Sequence, residues 1–199
     1  MYFVTSDQHF NHTNALRLMA DTRPFESVQE MNETLIDNWN AVVGEDDITF
    51  VLGDFFMGRA EDVREMLNRL NGRIILIVGN HDTDAKLRIY RDMPEKIIDI
   101  DDGYILEDYN GISFCMNHYP VEGDSVKHRE LESKGWHNCV SYFNEHPESI
   151  YLYGHVHGNA PCGPLNGTYH VGVDTNNLTP ISLDEIIEKF KFANSFVCM

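Results

Sequence analysis

Ile74-Ile75-Leu76-Ile77-Val78-Gly79-Asn80-His81-Asp82 is an unbroken apolar run that stops at a glycine and turns into amide, imidazole and carboxylate. Continuous β-branched and aliphatic residues, without alternation, read as a strand buried on both faces, the kind found in parallel sheets. Two earlier stretches repeat the arrangement. Ile48-Thr49-Phe50-Val51-Leu52 runs into Gly53-Asp54, and Tyr2-Phe3-Val4 runs into a polar cluster containing Asp7 and His9. Helical stripes lie between them. Val28, Met31, Leu35, Trp39 and Val42 step by three and four residues behind Ser27-x-x-Glu30, a capping box. Ala60, Val63, Leu67 and Leu70 form a second stripe that ends at Asn71-Gly72. Strand, helix, strand, helix, strand predicts an α/β layer with parallel strands.

Further along, strands follow in quick succession: Ile97–Ile100, Tyr104–Tyr109, Ile112–Asn117, Ile150–Tyr153 and Thr168–Val173. Asn110-Gly111 between the second and third is a type I′ hairpin signal. A final helix begins at Ser182-Leu183-Asp184-Glu185 and runs to about Phe192. Two packed sheets with helices outside accommodate this order, the later strands building the second sheet. No repeat, low-complexity tract or Pro/Gly/Ser-rich linker divides the chain, so one domain is expected over residues 1–199.

The 199 residues hold 15 Lys+Arg against 32 Asp+Glu, a formal charge of −17, with 42% hydrophobic residues. Such a surface repels nucleic-acid backbone, anionic lipid and other acidic proteins, which argues against long nucleic acid as a partner. No stretch approaches the roughly 20 apolar residues of a membrane span. The N-terminus lacks the basic and apolar regions of a signal peptide, and a cytoplasmic protein is expected. Cys115, Cys139, Cys162 and Cys198 are scattered and form no C-x-x-C pair, so reduced, packing cysteines are expected.

Function is written where the strands end. The runs pass into Asp7-x-His9, Gly53-Asp54, Gly79-Asn80-His81-Asp82, Asn117-His118 and Gly154-His155-Val156-His157. In α/β sheets, sites gather at the C-terminal strand ends. Taken singly, Asp-x-His reads as a surface loop, Gly-Asp as a turn, and a lone His118 as a core histidine. Only Gly-His-x-His, two imidazoles flanked by glycines, resists a packing explanation. Together the blocks supply seven oxygen and nitrogen ligands and no sulfur. That exceeds one tetrahedral zinc and suits two ions of higher coordination. Carboxylate, amide and imidazole donors favour Mn²⁺, Fe²⁺, Zn²⁺, Co²⁺ or Ni²⁺ over a purely magnesium site.

The series Asp-x-His, Gly-Asp, Gly-Asn-His-Asp, His, Gly-His-x-His resembles the calcineurin-like metallophosphoesterase superfamily in order and spacing, from Asp7 to His157. Its length, with Val171-Gly172-Val173-Asp174 after the last block, is closest to the small bacterial and phage members. The resemblance implies a four-layer αββα sandwich, an α/β fold of two mixed sheets flanked by helices. It further implies that Asp7, His9 and His157 hold one divalent ion and Asn80, His118 and His155 a second, bridged by Asp54. His81 stays off the metals beside the scissile phosphate, with Asn80 also contacting substrate. The activity implied is phosphoester hydrolysis by a metal-bridging hydroxide, with two divalent ions, Mn²⁺ foremost, and a small phosphodiester or phosphomonoester as substrate. Two dications against two aspartates leave the site positive inside an acidic protein.

The resemblance has departures. After the bridging Asp the chain continues Phe55-Phe56-Met57-Gly58-Arg59, without the orienting acid of the protein phosphatases and with the Arg displaced by one. Protein phosphatase activity is therefore not expected. Asp82 is either the partner of His81 or a helix cap or surface acid. Asn11 and His12 line the site or face solvent. Lys127, His128, Arg129 and Lys134, within Val121–Cys139, form either a phosphate-gripping loop or a solvated helix. Asp174 and Asn176 support the ligands or merely turn the chain. Two other readings stay open: a nuclease or RNA-end phosphoesterase on short nucleic acid, and a non-catalytic scaffold with a retained metal site.

Overall fold

Each apolar run forms a strand, and all but the last match their expected limits to within one residue. The computed structural model describes residues 1–122, 133–161 and 163–195. The first half contains β1 (Tyr2–Thr5), α1 (Ala15–Leu18), α2 (Val28–Val42), β2 (Ile48–Val51), α3 (Val63–Asn68), β3 (Arg73–Ile77), α4 (Asp84–Arg91) and β4 (Ile97–Asp101). The second contains β5 (Tyr104–Tyr109), β6 (Ile112–Met116), α5 (Lys134–Glu145), β7 (Ile150–Tyr153), β8 (Thr168–His170), β9 (Ile181–Ser182) and α6 (Leu183–Ser195).

One sheet has the order β4-β3-β2-β1-β9, parallel except for β9. The other has the order β5-β6-β7-β8, parallel except for β5. Three apolar layers hold them. Met31, Leu35 and Trp39 of α2, Leu67 of α3 and Tyr90 of α4 cover one face of the first sheet through Val51, Ile74 and Leu76. Phe50, Leu52, Ile75 and Ile77 meet Phe114, Met116 and Leu152 between the sheets, with Leu183 and Ile186 of α6 joining them. Cys139 of α5 covers Cys115, Tyr151 and Tyr153 on the outer face of the second sheet. Helix, sheet, sheet, helix is the α/β sandwich expected. Cys115 and Cys139 are free and buried, and burial pushes their thiols up to about 11 and about 12.

Local signals act largely as read. Ser27 Oγ accepts the Glu30 amide at 3.1 Å, while the Glu30 carboxylate accepts from Glu26 rather than from Ser27, so the capping box is half formed. Asn110 and Gly111 take φ of 52° and 79°, the two left-handed residues of a type I′ turn. Its register is Tyr109↔Ile112, with an unforeseen irregularity between Leu106 and Tyr109. The stripe from Ala60 opens as a 3₁₀ turn, Ala60–Asp62, and becomes α-helical only at Val63. β8 stops at His170 instead of continuing to Val173. Gly172 there bridges to Ser6 and the Val173 amide donates to the Ser6 carbonyl at 3.1 Å, so the chain leaves its own sheet for the end of β1. That crossing joins the sheets where the polar blocks meet.

Candidate metal centre

Backbone pairing continues past the strands. The Asp7, His9 and Phe10 amides donate to the carbonyls of Gly53, Asp54 and Phe55, each at 3.1 Å, so the loops after β1 and β2 stay in register. Asp7, His9, Asp54, His155 and His157 all take positive φ, at 61°, 51°, 53°, 72° and 51°. Left-handed backbone is costly for residues other than glycine and clusters at functional sites.

The block glycines have more than one purpose. Gly53 has φ +84° and makes the expected sharp turn. Gly79 and Gly154 do not, and they are required by close approach. A Cβ on Gly79 would lie 2.4 Å from Asp54 Oδ1, and one on Gly154 1.9 Å from Ser6 Oγ and 2.5 Å from Asp7 Oδ2.

All seven sequence-predicted ligands converge. Asp7 Oδ2 accepts the His155 amide at 2.9 Å, leaving Oδ1 facing His9 Nε2 at 3.9 Å and His157 Nε2 at 4.0 Å. Asp54 Oδ1 accepts the His81 amide at 2.8 Å. Its Oδ2 stands 3.7 Å from His9 Nε2 and 3.6 Å from His118 Nε2. Asn80 Oδ1 lies 3.0 Å from both His118 Nε2 and His155 Nδ1. Ligand atoms of Asp7, His9 and His157 lie within 4.8 Å of one another, as do those of Asp7, Asp54 and His118. Atoms each about 2.1 Å from one ion stand roughly 3–4 Å apart, so these spacings fit cations. Asp7 Oδ1 and His9 Nε2 are buried with no hydrogen-bond partner, a deficit that a cation removes.

Electrostatics agree with that fit. Burial pushes the Asp7 carboxyl up, but His118, His157, His9 and the Ser6 hydroxyl together pull it down to about 2. Burial holds His9 well below the ordinary imidazole value, favouring the neutral ring that a metal needs. His81 is the exposed imidazole of the cluster, its side chain 47% exposed and Nε2 3.9 Å from Asp54 Oδ2.

Other candidates resolve differently. Asp82 is neither a surface acid nor a contact of the His81 ring. It is buried and accepts the amides of Asp54 (2.8 Å), Gly79 (2.9 Å) and Phe55 (3.4 Å), pinning two ligand loops together. Burial and the Asp54 charge push its carboxyl up to about 6. Asn11 pairs with Asn32 of α2 instead of facing solvent. His12 stacks on His9, with ring centroids 5.1 Å apart. Arg59 is exposed beside Glu61 and Asp62. Lys134 opens α5, while Lys127, His128 and Arg129 lie outside the described residues. Asn176 donates to the carbonyls of His170 and Gly172 and braces the turn. Asp174 lies 2.8 Å from His157 Nδ1 and holds that ring. Sequence reasoning missed Arg23, wholly buried beneath Asp7 and His9, and Lys86, whose Nζ donates to the carbonyls of His81 (3.0 Å) and Phe56. No periodicity or motif marks either. Beside His155 and His157 opens a recess of about 490 Å³ walled by Pro120, Glu122, Tyr153, Val156 and Pro161.

The calcineurin-like phosphoesterase model matches residues 2–159. The chain is 33% identical over 193 residues to an uncharacterized protein of Methanocaldococcus jannaschii, covering 94% of this chain and 89% of that one. The Gene 66 protein of Mycobacterium phage D29 is 26% identical over 204 residues, with 94% of each covered. A solved structure of a protein of unknown function from Aquifex aeolicus superposes with a TM-score of 0.74 at 26% identity, covering 94% of this chain and 98% of that one. Because the family match takes in every strand end from Asp7 to His157, the chain belongs to the calcineurin-like phosphoesterases and is a metal-dependent phosphoesterase.

Proposed function

We propose that the enzyme is a binuclear hydrolase of small phosphoesters. Asp7, His9 and His157 hold one divalent ion, Asn80, His118 and His155 hold the other, and Asp54 is shared. One observation carries the reading: Asp54 Oδ2 is nearly equidistant from His9 Nε2 (3.7 Å) and His118 Nε2 (3.6 Å), an imidazole from each group. Two such ions, when bound, supply an activated water near neutral pH and positive charge for the transferring phosphoryl group. The donor set mixes carboxylate and amide oxygen with imidazole and holds no sulfur; its oxygens suit Mn²⁺, the ion taken first among those expected. His81 stands at the exposed edge of the cluster, Nε2 3.9 Å from Asp54 Oδ2, where its ring can donate to a phosphoryl or leaving-group oxygen. The recess beside His155 and His157 receives the organic part of the ester.

Metal-stripped protein should gain hydrolysis of bis-nitrophenyl or mononitrophenyl phosphate when Mn²⁺ is added, binding two ions per chain. Asp54→Asn should remove at least about 100-fold of that turnover while the circular dichroism spectrum stays unchanged. Normal turnover by a folded Asp54→Asn enzyme would overturn the proposal.

A further inference from the structure

Arg23 lies on the stretch between α1 and α2, with no exposed surface. Its Nε and Nη2 donate to Asp174 Oδ1 (2.8 Å) and Oδ2 (3.0 Å). Nη1 donates to the Gln8 carbonyl at 2.7 Å, and Nη2 also donates to the Asp7 carbonyl. Asp174 in turn accepts the Thr22 hydroxyl at 2.7 Å and faces His157 Nδ1 at 2.8 Å. A single buried fork thus joins the Asp7–His9 loop to the chain carrying His157.

We infer that Arg23 and Asp174 are positioning residues for one metal position only, that of Asp7, His9 and His157. This rests on the binuclear reading above. Asp174 Oδ2 accepts a hydrogen bond from His157 Nδ1–H, which fixes the tautomer and leaves the Nε2 lone pair on the side of Asp7 Oδ1, 4.0 Å away. Arg23 holds the carbonyls of Asp7 and Gln8, the peptide stretch flanked by the left-handed Asp7 and His9, and so restrains backbone that would otherwise relax. The charge of Asp174 matters as much as its shape. A neutral side chain there leaves a buried guanidinium uncompensated behind the Asp7 and Gln8 carbonyls, so a cation held by Asp7 would be opposed as well as the His157 ring loosened.

The other position has its own support. His118 Nδ1 is bonded to the Leu52 carbonyl at 2.7 Å, and among the described residues neither His118 nor Asn80 is hydrogen-bonded to Arg23 or Asp174, while His155 meets Asp7 through its backbone amide. Disturbing the fork should therefore separate the two affinities.

The test is calorimetric titration of Mn²⁺ into metal-stripped wild type, Asp174→Asn and Arg23→Lys. Wild type should bind two ions. Asp174→Asn should lose about 10–100-fold in affinity for one ion and change the other far less. Arg23→Lys keeps the cation but not the fork and should weaken the same ion by a smaller factor. Folded variants that bind both ions as wild type does, or lose both equally, would overturn the inference. Wild type that binds no ion, or one, would instead overturn the binuclear reading. Should the variants not fold, long-range ¹H–¹⁵N spectra of metal-free wild type above the imidazole range read the tautomer directly. A His157 ring protonated on Nδ1 supports the inference, and one protonated on Nε2 overturns it.

Discussion

Gly154 carries no side chain, yet it governs where one of the central carboxylates lies. A methyl group there would occupy the space of Ser6 Oγ and press on Asp7 Oδ2, both packed beneath the His155 turn. Gly154→Ala should therefore destabilise the metal-free protein by about 1–3 kcal/mol, an overpacking cost, and also weaken Mn²⁺ binding. Urea denaturation and metal titration of the same variant check both parts, and wild-type values in both would refute the steric account. The side chains that converge were legible as candidates because their chemistry is carried by residue type. Carboxylate, amide and imidazole fall at five strand ends, where a site explains their concentration. Arg23 was not legible, since a lone arginine between α1 and α2 has no period and no neighbour in sequence that shares its purpose. Asp82 was ambiguous for a related reason. Its partners are the backbone amides of Asp54, Phe55 and Gly79, and an amide has no letter in the sequence.

Among the elements, those with a strong pattern were read and those without one were not. β2, β3 and β7 are short, mostly apolar and mostly buried runs, and α2 shows a complete stripe with a side-chain cap. β9 is two residues long and exists because it can pair with β1, a partner far away in sequence. α4 presents little apolar surface beyond Leu87 and Tyr90, too few for a stripe, and is fixed instead by what it covers. The hairpin between β5 and β6 was predicted from Asn110-Gly111, but not its tether to α6. Tyr109 donates to Asp184 Oδ2 at 3.0 Å and Asn110 to Oδ1 at 2.8 Å. Burial first, then the Asp184 hydrogen bond and charge, push the Tyr109 phenol up to about 12 from 10.0. A folded-state pKa above the unfolded one stabilises fully below pH 10.0 and loses that contribution as pH rises towards about 12. Tyr109→Phe should cost about 1 kcal/mol at neutral pH and flatten the alkaline decline in stability. Denaturation midpoints across that range measure both, and parallel pH profiles would exclude the tether.

The whole molecule sets a global field against a local one. A formal charge of −17 surrounds a centre whose proposed ions make it positive, so attraction is confined to what can come close to the metals. Among the described residues no helix is long and apolar enough to cross a membrane, and the carboxylate and imidazole side chains converge where strands of both sheets end. A small ester carries its charge on the phosphate that the centre receives. An oligonucleotide carries further phosphates, and these must lie along acidic surface. The two substrate classes therefore differ in their response to salt. Screening shortens from about 8 Å at 0.15 M to about 3 Å at 1 M ionic strength, which weakens surface repulsion more than contact with buried charge. With Mn²⁺ saturating, kcat/KM for bis-nitrophenyl phosphate should change less than about threefold across that range. For a single-stranded oligonucleotide it should begin far lower and climb with salt, the reverse of a protein that binds polymer through cationic contacts. An oligonucleotide rate that starts high and falls steeply with salt would mean that a basic path leads to the site, and the nuclease reading would displace the small-ester one.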